Sequence, residues 1–328
     1  MLVFAGSISF LDSLLGIMTV LTACGCFLVG INLMSRGFVQ ATTKTQSFFT
    51  RGFNCKNRFQ GAAFGAMYTV VVQSSDVTTV TLVRLADIGS ITLFQACACI
   101  IGANIGTTIT TFIASLGGQD ILLPIFSFFA FIGAIPLLSR KKPLKIFGSI
   151  IAGFGILFIG LSLLNKSVED QAFQQVVTVI FGFTENPLLL ILIAVIFTMI
   201  VQSSSVVTAM VVFLVTANLI SLPSAMSLVV GANIGTCFTA WIASFGGSRN
   251  ARTTAMFHTF YNIVGAALFL AVMLTPLRTP VIKWAESLTM GAQYKVALFH
   301  LLFNLIAGAV MIPLLRPTVW LSRKIIRH

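Results

Sequence analysis

Apolar stretches of membrane-spanning length dominate the chain. Residues 14–34, 121–138 and 144–164 contain at most one charged side chain each, and each reaches or approaches the ~20 residues that a helix needs to cross hydrocarbon. The chain is 57% hydrophobic and 9% charged, whereas about a quarter of the residues of a soluble domain are charged. The pattern therefore predicts an all-α polytopic membrane protein.

The sequence is duplicated with an offset of 129 residues. Residues 100–118 read IIGANIGTTITTFIASLGG and residues 229–247 read VVGANIGTCFTAWIASFGG, with 12 of 19 positions identical. The segment VQSSD at 72–76 matches VQSSS at 201–205 at the same offset. Residues 27–34 resemble residues 157–164 with a shift of one more residue. An internal repeat of this length predicts two structurally related halves.

The charges of equivalent connections indicate that the two halves have opposite orientations in the bilayer. The connection 36–58 contains five basic residues and no acid, whereas its counterpart 166–186 contains one lysine and three acids. The turn 117–120 has one acid, and its counterpart 246–252 has two arginines. Inverted repeats are typical of secondary transporters, whose substrate site lies near the midplane between the halves.

A consistent topology requires that residues 57–85 and 186–215 enter the membrane and return as re-entrant helical hairpins. A Gln-Ser-Ser cluster interrupts each stretch near its middle. Gly89 and Asn218 tolerate left-handed backbone and are each followed by a Thr or Ser that can cap the next helix. We predict about seven transmembrane helices plus two hairpins. The first inverted repeat is 1–143, the second is 144–286, and residues 287–328 form a C-terminal transmembrane helix and a basic tail.

The Gln-Ser-Ser clusters are candidates for an anion site. Irregular polar backbone at membrane depth persists only where protein or a water-filled cavity covers it. A half-helix that begins at such a break offers free backbone N–H groups, which can hold an anion without an arginine. The alternative is that these serines are small residues that serve helix packing. Two copies in register, each beside a glutamine, favour binding.

The Gly-Ala-Asn-Ile-Gly-Thr motifs at 102–107 and 231–236 are candidates for a cation site. Asn and Thr oxygens are suitable ligands for a weakly held alkali ion. The alternative is a helix-crossing motif of small residues. Asp76 is an acid in the middle of an apolar segment, which costs ~2.5–3.5 kcal/mol on insertion scales unless it is compensated. A bound sodium ion or a proton would compensate it, as would an ion pair with Arg84.

Other polar groups point to packing rather than chemistry. The spacing of His258 with Asn262, and of His300 with Asn304, places each pair on one helix face, where polar contacts between helices are the favoured role and gating or a proton path is the alternative. The six cysteines show no zinc-binding spacing. No enzyme motif is present, and the net charge of +12 lies in short loops, which fits the positive-inside rule better than nucleic-acid binding.

Two Gln-Ser-Ser motifs, each followed by a Gly-Ala-Asn-Ile-Gly-Thr motif, resemble the type II sodium-dependent phosphate cotransporter family, including its bacterial members. The resemblance extends from Phe27 to Asn304. It implies sodium-coupled symport of phosphate by alternating access. It assigns the substrate to Gln73, Ser74, Ser75, Gln202, Ser203, Ser204 and Ser205. Our candidates for sodium are Asp76, Thr79, Asn104, Thr107, Thr108, Thr208, Asn233 and Thr236.

One departure from the family pattern affects the substrate. Asp76 stands where Ser is usual, so that a fixed negative charge lies near the anion site and leaves the anion or the number of sodium ions open. Another small anion, such as sulfate or a dicarboxylate, and phosphate export remain alternatives. We expect co-transported sodium, no organic cofactor, an inner-membrane location with a cytoplasmic C-terminus and an outside N-terminus, and possible homodimers.

Overall fold

The computed structural model describes residues 10–43, 52–117, 123–181 and 184–326, and within these ranges the regular structure is entirely helical. The helices of the first half are α1 (Phe10–Thr43), α2 (Arg58–Val72), α3 (Ser75–Asp87), α4 (Leu93–Gly106), α5 (Thr108–Leu116) and α6 (Leu123–Leu137). The remaining helices are α7 (Lys142–Ser167), α8 (Gln171–Phe181), α9 (Pro187–Val201), α10 (Ser204–Thr216), α11 (Leu222–Gly235), α12 (Cys237–Ser244), α13 (Arg249–Met273), α14 (Arg278–Ser287), α15 (Ala292–Met311) and α16 (Leu315–Ile325).

Six helical stretches in the described part of the chain are long and apolar enough to cross a membrane. The stretches are Leu14–Ala41, Leu93–Leu116, Lys142–Ser167, Leu222–Ser244, Arg249–Met273 and Ala292–Met311. The seventh crossing expected from the sequence falls on α6, an apolar helix of 15 residues. The prediction of an all-α, multi-pass membrane protein is confirmed.

Both Gln-Ser-Ser clusters interrupt a helix, as the sequence predicts. Helix α2 ends at Val72 and α3 begins at Ser75, while α9 ends at Val201 and α10 begins at Ser204. The Thr69 hydroxyl donates to the Thr78 hydroxyl oxygen at 3.0 Å. Residues nine apart in one continuous helix would be about 13 Å apart along its axis, so the chain folds back at the break.

The predicted ends of these helix pairs are also found. Gly89 has φ 71° and Asn218 has φ 56°. The hydroxyl of Thr92 accepts a hydrogen bond from the Gln95 backbone and caps α4. The hydroxyl of Ser221 caps α11 in the same way. These boundaries were predictable because caps and left-handed residues are local features of the sequence.

Helices α1 and α7 cross in close contact and run antiparallel. A Cβ atom on Gly30 would collide with the backbone of Leu157, and a Cβ atom on Gly160 would collide with the backbone of Phe27. Residue numbers therefore increase along α1 in the direction in which they decrease along α7. Gly160 is the counterpart of Gly30, and Leu157 is the counterpart of Phe27, at the offset of 130 that relates these helices in sequence. The two contacts are therefore equivalent.

The glycines of the two Gly-Ala-Asn-Ile-Gly-Thr motifs serve helix packing. A side chain at Gly102 would meet the backbone of Ala62 in α2. A side chain at Gly231 would meet the backbone of Ile191 in α9, and these contacts are related by the offset of 129. The packing interpretation is therefore confirmed for the glycines, although it leaves the Asn and Thr side chains of the motif unexplained.

Two segments differ from the expectation of loop or tail. Helix α8 lies in the connection 166–186 and packs against α1. It begins after Asp170, whose carboxylate accepts a hydrogen bond from the Phe173 N–H at 2.9 Å. The basic C-terminal segment forms α16, which packs against α13 and α4. Parts of the connections 36–58 and 117–120, on which the loop-charge comparison depends, lie outside the described residues.

Candidate functional site

Gln73 and Gln202 shape the two helix breaks through left-handed backbone. Their φ angles are 57° and 55°. Each backbone N–H donates to a carbonyl four residues earlier, that of Thr69 or Thr198, at 2.7 Å. Left-handed backbone costs ~1–2 kcal/mol for a residue with a side chain, and strain of this kind is concentrated at functional sites. The same strained turn in both halves therefore marks the breaks as candidate binding elements.

The first break is hydrogen-bonded to the start of α5. The Thr107 hydroxyl donates to the Ser75 hydroxyl oxygen at 3.2 Å. The Thr110 hydroxyl donates to the side-chain oxygen of Gln73 at 3.3 Å. All four residues are buried. The polar residues of the two motifs in the first half thus form one cluster.

The second break repeats the central contact of the first. The Thr236 hydroxyl donates to the Ser204 hydroxyl oxygen at 3.3 Å, which is the Thr107–Ser75 contact shifted by 129 residues. Ser203 and Ser205 are buried beside it. The Gln-Ser-Ser motif and the Gly-Ala-Asn-Ile-Gly-Thr motif are therefore hydrogen-bonded to each other in both halves.

Asp76 joins the two clusters. Its Oδ1 atom accepts from the hydroxyl of Thr236 at 2.8 Å and from the hydroxyl of Thr239 at 3.0 Å. Both threonines belong to the second half of the chain, whereas Asp76 lies in the first turn of α3. The ion pair with Arg84 that the sequence allowed is not found in the described part of the chain, where Arg84 instead pairs with Asp87 at 3.8 Å.

A cavity of about 460 Å³ opens beside this carboxylate. Its walls come from α3, α12 and the second break, with Asp76, Thr81, Arg84, Gln202 and Thr239 among them. Gln202 is exposed, whereas its counterpart Gln73 is 8% exposed. The two breaks are thus equivalent in local shape but not in accessibility.

The other predicted residues lie near these clusters with different roles. The amide nitrogens of Asn104 and Asn233 donate to carbonyls of their own helices at 2.9 and 3.0 Å. The Thr108 hydroxyl donates to the Ile105 carbonyl at the end of α4, and the Thr208 hydroxyl donates to the Ser205 carbonyl in its own helix. Thr79 is buried, and its hydroxyl has no hydrogen-bond partner among the described residues. Ser74 caps α3 by accepting from the Val77 N–H at 3.2 Å.

His300 lies between the two halves. Its Nδ1 atom is 2.7 Å from the Thr111 hydroxyl, and its Nε2 atom is 3.2 Å from the Asn233 amide nitrogen. This contact confirms for His300 the predicted role of polar contact between helices. For the other pair, the prediction is supported by Asn262, whose amide donates to the Sγ atom of Cys237 in α12 at 3.2 Å. The ring nitrogens of His258 have no partner among the described residues.

Three residues that contribute to the site were not among those predicted from the sequence: Thr110, Thr111 and Thr239. Thr110 and Thr239 occupy equivalent positions of the repeated segment, so the repeat could have identified both as candidate site residues. Thr111 has alanine as its counterpart, and its contact with His300 depends on packing between distant helices. That contact could not be read from the repeat.

A second polar link between the halves lies at the far end of α3. The Ser248 backbone N–H donates to the Asp87 carboxylate at 2.7 Å. This hydrogen bond, with smaller contributions from the Ser248 side chain and from Arg84, lowers the pKa of Asp87. The carboxylate therefore stays charged and fixes the end of α3 beside the start of α13.

The site offers hydroxyl, amide and carboxylate oxygens together with the N-terminal N–H groups of α3 and α10. Hard oxygen ligands suit alkali ions, and helix N-termini suit anions. Within the described residues, no group of three or more His, Cys, Asp or Glu side chains is placed to hold a metal ion. The arrangement therefore fits weakly held, exchangeable ions.

Comparisons with known proteins agree with this chemistry. The sequence model of the Na+/Pi-cotransporter family matches residues 26–166 and again residues 159–283. The "Uncharacterized protein YqeW" of Bacillus subtilis is 29% identical over 88% of this chain and 91% of its own length. The "Putative inorganic phosphate export protein YjbB" of Escherichia coli is 28% identical over 80% of this chain.

Animal relatives are also found. The "Sodium-dependent phosphate transport protein 2C" of Mus musculus is 34% identical over 48% of this chain and 28% of its own length. The chain spans about half of YjbB, 47% of that protein. No solved structure matches the chain. Because the family model covers most of the sequence in two successive matches, the chain belongs to the Na+/Pi-cotransporter family.

Proposed function

We propose that this protein is a secondary transporter that moves inorganic phosphate together with sodium. The anion binds between the helix N-termini at the two breaks, where Ser75 and Ser204 provide hydroxyl donors. The observation that carries the proposal is the pair of hydrogen bonds from Thr236 and Thr239 to Asp76, because they join the break of one half to the polar motif of the other. Membership of the family supports phosphate as the substrate.

The proposal includes two inverted repeats with re-entrant hairpins. Helices α2 and α3 have 15 and 13 residues, which is shorter than the ~20 residues of a membrane crossing. The antiparallel crossing of α1 and α7 supports the inversion, because these are equivalent helices of the two halves. Transport then follows by alternating exposure of the central site, the mechanism that inverted repeats permit.

Sodium compensates the charge of Asp76 and completes the anion site. A carboxylate beside a phosphate repels it unless a cation lies between them. The Asp76 oxygens and the hydroxyls of Thr236 and Thr239, which are bonded to it, provide hard ligands, and the Thr107 hydroxyl, bonded to the adjacent Ser75, provides another. Thr108 and Thr208 are secondary sodium candidates, because their hydroxyls donate to backbone carbonyls three residues earlier in the chain.

Electrical work sets a lower bound on the number of sodium ions. Divalent phosphate entering an inside-negative cell at 100 mV costs about 4.6 kcal/mol, because each charge costs ~2.3 kcal/mol. Two sodium ions offset this cost and a third makes the membrane potential favourable. We therefore propose at least two sodium ions per phosphate for uptake.

The direction of transport has a second candidate. One relative is named as a phosphate export protein and another as a sodium-dependent phosphate transport protein. The same site serves either direction, since a symporter follows the sum of its gradients.

We place the protein in the cell membrane with the basic end at α16 in the cytoplasm, as the positive-inside rule requires.

Uptake of radiolabelled phosphate by proteoliposomes tests the proposal. An inward sodium gradient is expected to drive uptake above that seen with potassium, and excess unlabelled phosphate is expected to compete while sulfate and a dicarboxylate do not. Competition by sulfate or a dicarboxylate instead of phosphate would reassign the anion. Uptake that is the same in sodium and potassium would refute sodium coupling.

A further inference from the structure

Helices α13 and α15 occupy equivalent places although they are not copies of each other in the repeat. Helix α15 packs against α5, α10, α11 and α4, and α13 packs against α12, α3, α4 and α11. The offset of 129 relates α5 to α12, α3 to α10 and α4 to α11, so the two helices have equivalent neighbours. Both helices carry a histidine followed four residues later by asparagine, at His258 and His300.

The two histidines differ in their partners for a reason that is visible in the sequence. His300 lies 2.7 Å from the Thr111 hydroxyl and 3.2 Å from the Asn233 amide. The counterparts of Thr111 and Asn233 are Ala240 and Asn104. Alanine cannot form the hydrogen bond that threonine forms. The amides of Asn104 and Asn233 both donate to a carbonyl of their own helix, so the difference between the two sides arises at the alanine.

The His258 side chain is therefore buried without hydrogen bonds to the described part of the chain. The residue is 1% exposed, and neither ring nitrogen has a partner there. An unpaired buried polar group costs about 1–3 kcal/mol. The histidine of α13, a helix that packs against α12, is thus not held to its neighbours, whereas the histidine of α15, a helix that packs against α5, is held.

This difference coincides with which side of the site is open. The 460 Å³ cavity lies along α3 and α12, with Thr81 and Gln202 in its wall. At the offset-related positions along α10 and α5 the residues are buried or half-buried, including Met210 and Gln73. Met210 lines a separate, apolar cavity of about 300 Å³ that contains none of the polar residues of the site. The polar site is therefore open on the side where the histidine is unpaired and closed on the side where it is hydrogen-bonded.

We propose that His300, through Thr111 in α5 and Asn233 in α11, is a positioning residue that keeps α5 and the helix packed against it, α10, closed over the site, and that Ala240 leaves the opposite side free to open. The inference rests on the proposed transport function. It adds that the hydrogen bonds of His300 determine which side of the site is open when no substrate is bound. His300 contacts neither ion in this scheme. It acts by fixing Asn233, one turn before Thr236, against the first half of the chain.

The test uses labelling by a membrane-impermeant thiol reagent at two offset-related positions, Thr81→Cys and Met210→Cys. Labelling is quantified peptide by peptide, so the native cysteines stay in place as internal controls. In the otherwise unchanged protein, position 81 is expected to react faster than position 210. With Thr111→Val, position 210 is expected to react about tenfold faster, the factor that one hydrogen bond of ordinary strength provides, while Thr111→Ser retains the original rates.

The sharper variant transfers the hydrogen bond. Thr111→Ala combined with Ala240→Thr is expected to reverse the order of the two labelling rates, and Ala240→Ser replaces Ala240→Thr if the larger side chain prevents folding. A merely structural role for Thr111 predicts loss of folded protein, not reversal. Unchanged rates in Thr111→Val and in the transfer variants would overturn the inference. Labelling needs no transport, so a failure of sodium-driven phosphate uptake would refute the proposed function separately.

Discussion

The carboxylate of Asp76 accepts a 2.8 Å hydrogen bond from the hydroxyl of Thr236, a residue 160 positions further along the chain. The bond crosses from the first half to the second at the point where two helix breaks meet polar motifs. It accounts for an acid within an apolar segment without an arginine partner. It also places the charge where sodium and phosphate are proposed to bind.

Replacing Asp76 with Asn tests the role of this charge. The change keeps the shape and an oxygen acceptor for Thr236 but removes the charge that sodium compensates. Because hydrogen bonds and ligands to charged groups contribute about 1.5–3 kcal/mol, the sodium concentration for half-maximal uptake is expected to rise by at least about tenfold. Proteoliposome uptake at graded sodium concentrations measures it.

Thr239→Val is the matched control for Asp76→Asn. It removes one of the two hydroxyls that bond to Asp76 and leaves the charge in place, so its effect on sodium dependence is expected to be smaller. An Asp76→Asn protein with the original sodium dependence would show that the carboxylate is only a packing element.

The left-handed backbone at the breaks predicts that glycine is tolerated better than valine at the position of Gln202. Glycine adopts this conformation freely and valine does not. Gln202→Gly is therefore expected to unfold at the same temperature as the original protein or slightly higher, whereas Gln202→Val is expected to unfold at a lower temperature, because a β-branched residue is disfavoured in this conformation. Thermal unfolding in detergent measures both. Equal stability of the two variants would contradict the backbone assignment.

Much of the fold was predictable because its signals are local or repeated. The caps at Thr92 and Ser221, and the left-handed residues Gly89 and Asn218, depend on a few neighbouring residues, and the repeat predicted that both breaks would be alike. The left-handed conformation of Gln73 was not predictable, because glutamine has no preference for it and tertiary contacts impose it.

The candidate site was predictable in its members but not in its connections. Serines and threonines of both motifs are brought together, as expected from their duplication. The bonds from Thr236 and Thr239 to Asp76 join elements 160 and 163 residues apart, and only the packing of α3 against α12 determines them. The same applies to His300, whose two contacts come from two different helices.

Close helix crossings predict a strong effect of small substitutions at Gly102 and Gly231. An added methyl group would collide with the backbone of α2 or α9, and overpacking of this kind costs about 1–3 kcal/mol. Gly102→Ala and Gly231→Ala are each expected to lower the unfolding temperature. Gly25, whose added Cβ atom meets nothing within 4 Å, is the control, and Gly25→Ala is expected to be neutral or stabilising. Loss of stability at Gly25 alone would contradict the packing account.

The link between Asp87 and Ser248 predicts a pH-dependent contribution to stability. Because the native pKa of Asp87 is lowered, its contribution is complete above the ordinary aspartate pKa of ~3.9 and is lost as the pH falls through the lower native value. Asp87→Ala is therefore expected to lower the unfolding temperature at pH 7, with a difference from the original protein that shrinks in strong acid. A difference that grows as the pH falls would contradict this sign.

Equilibrium binding of phosphate to the purified protein, compared in sodium and in potassium, tests the central claim most directly. The account predicts saturable binding in sodium that is absent or at least about tenfold weaker in potassium, and that weakens to a similar degree in both Ser75→Ala and Ser204→Ala, since each removes one hydroxyl donor from the shared site. Binding that is equally tight in both salts, or that neither serine substitution changes, would contradict it.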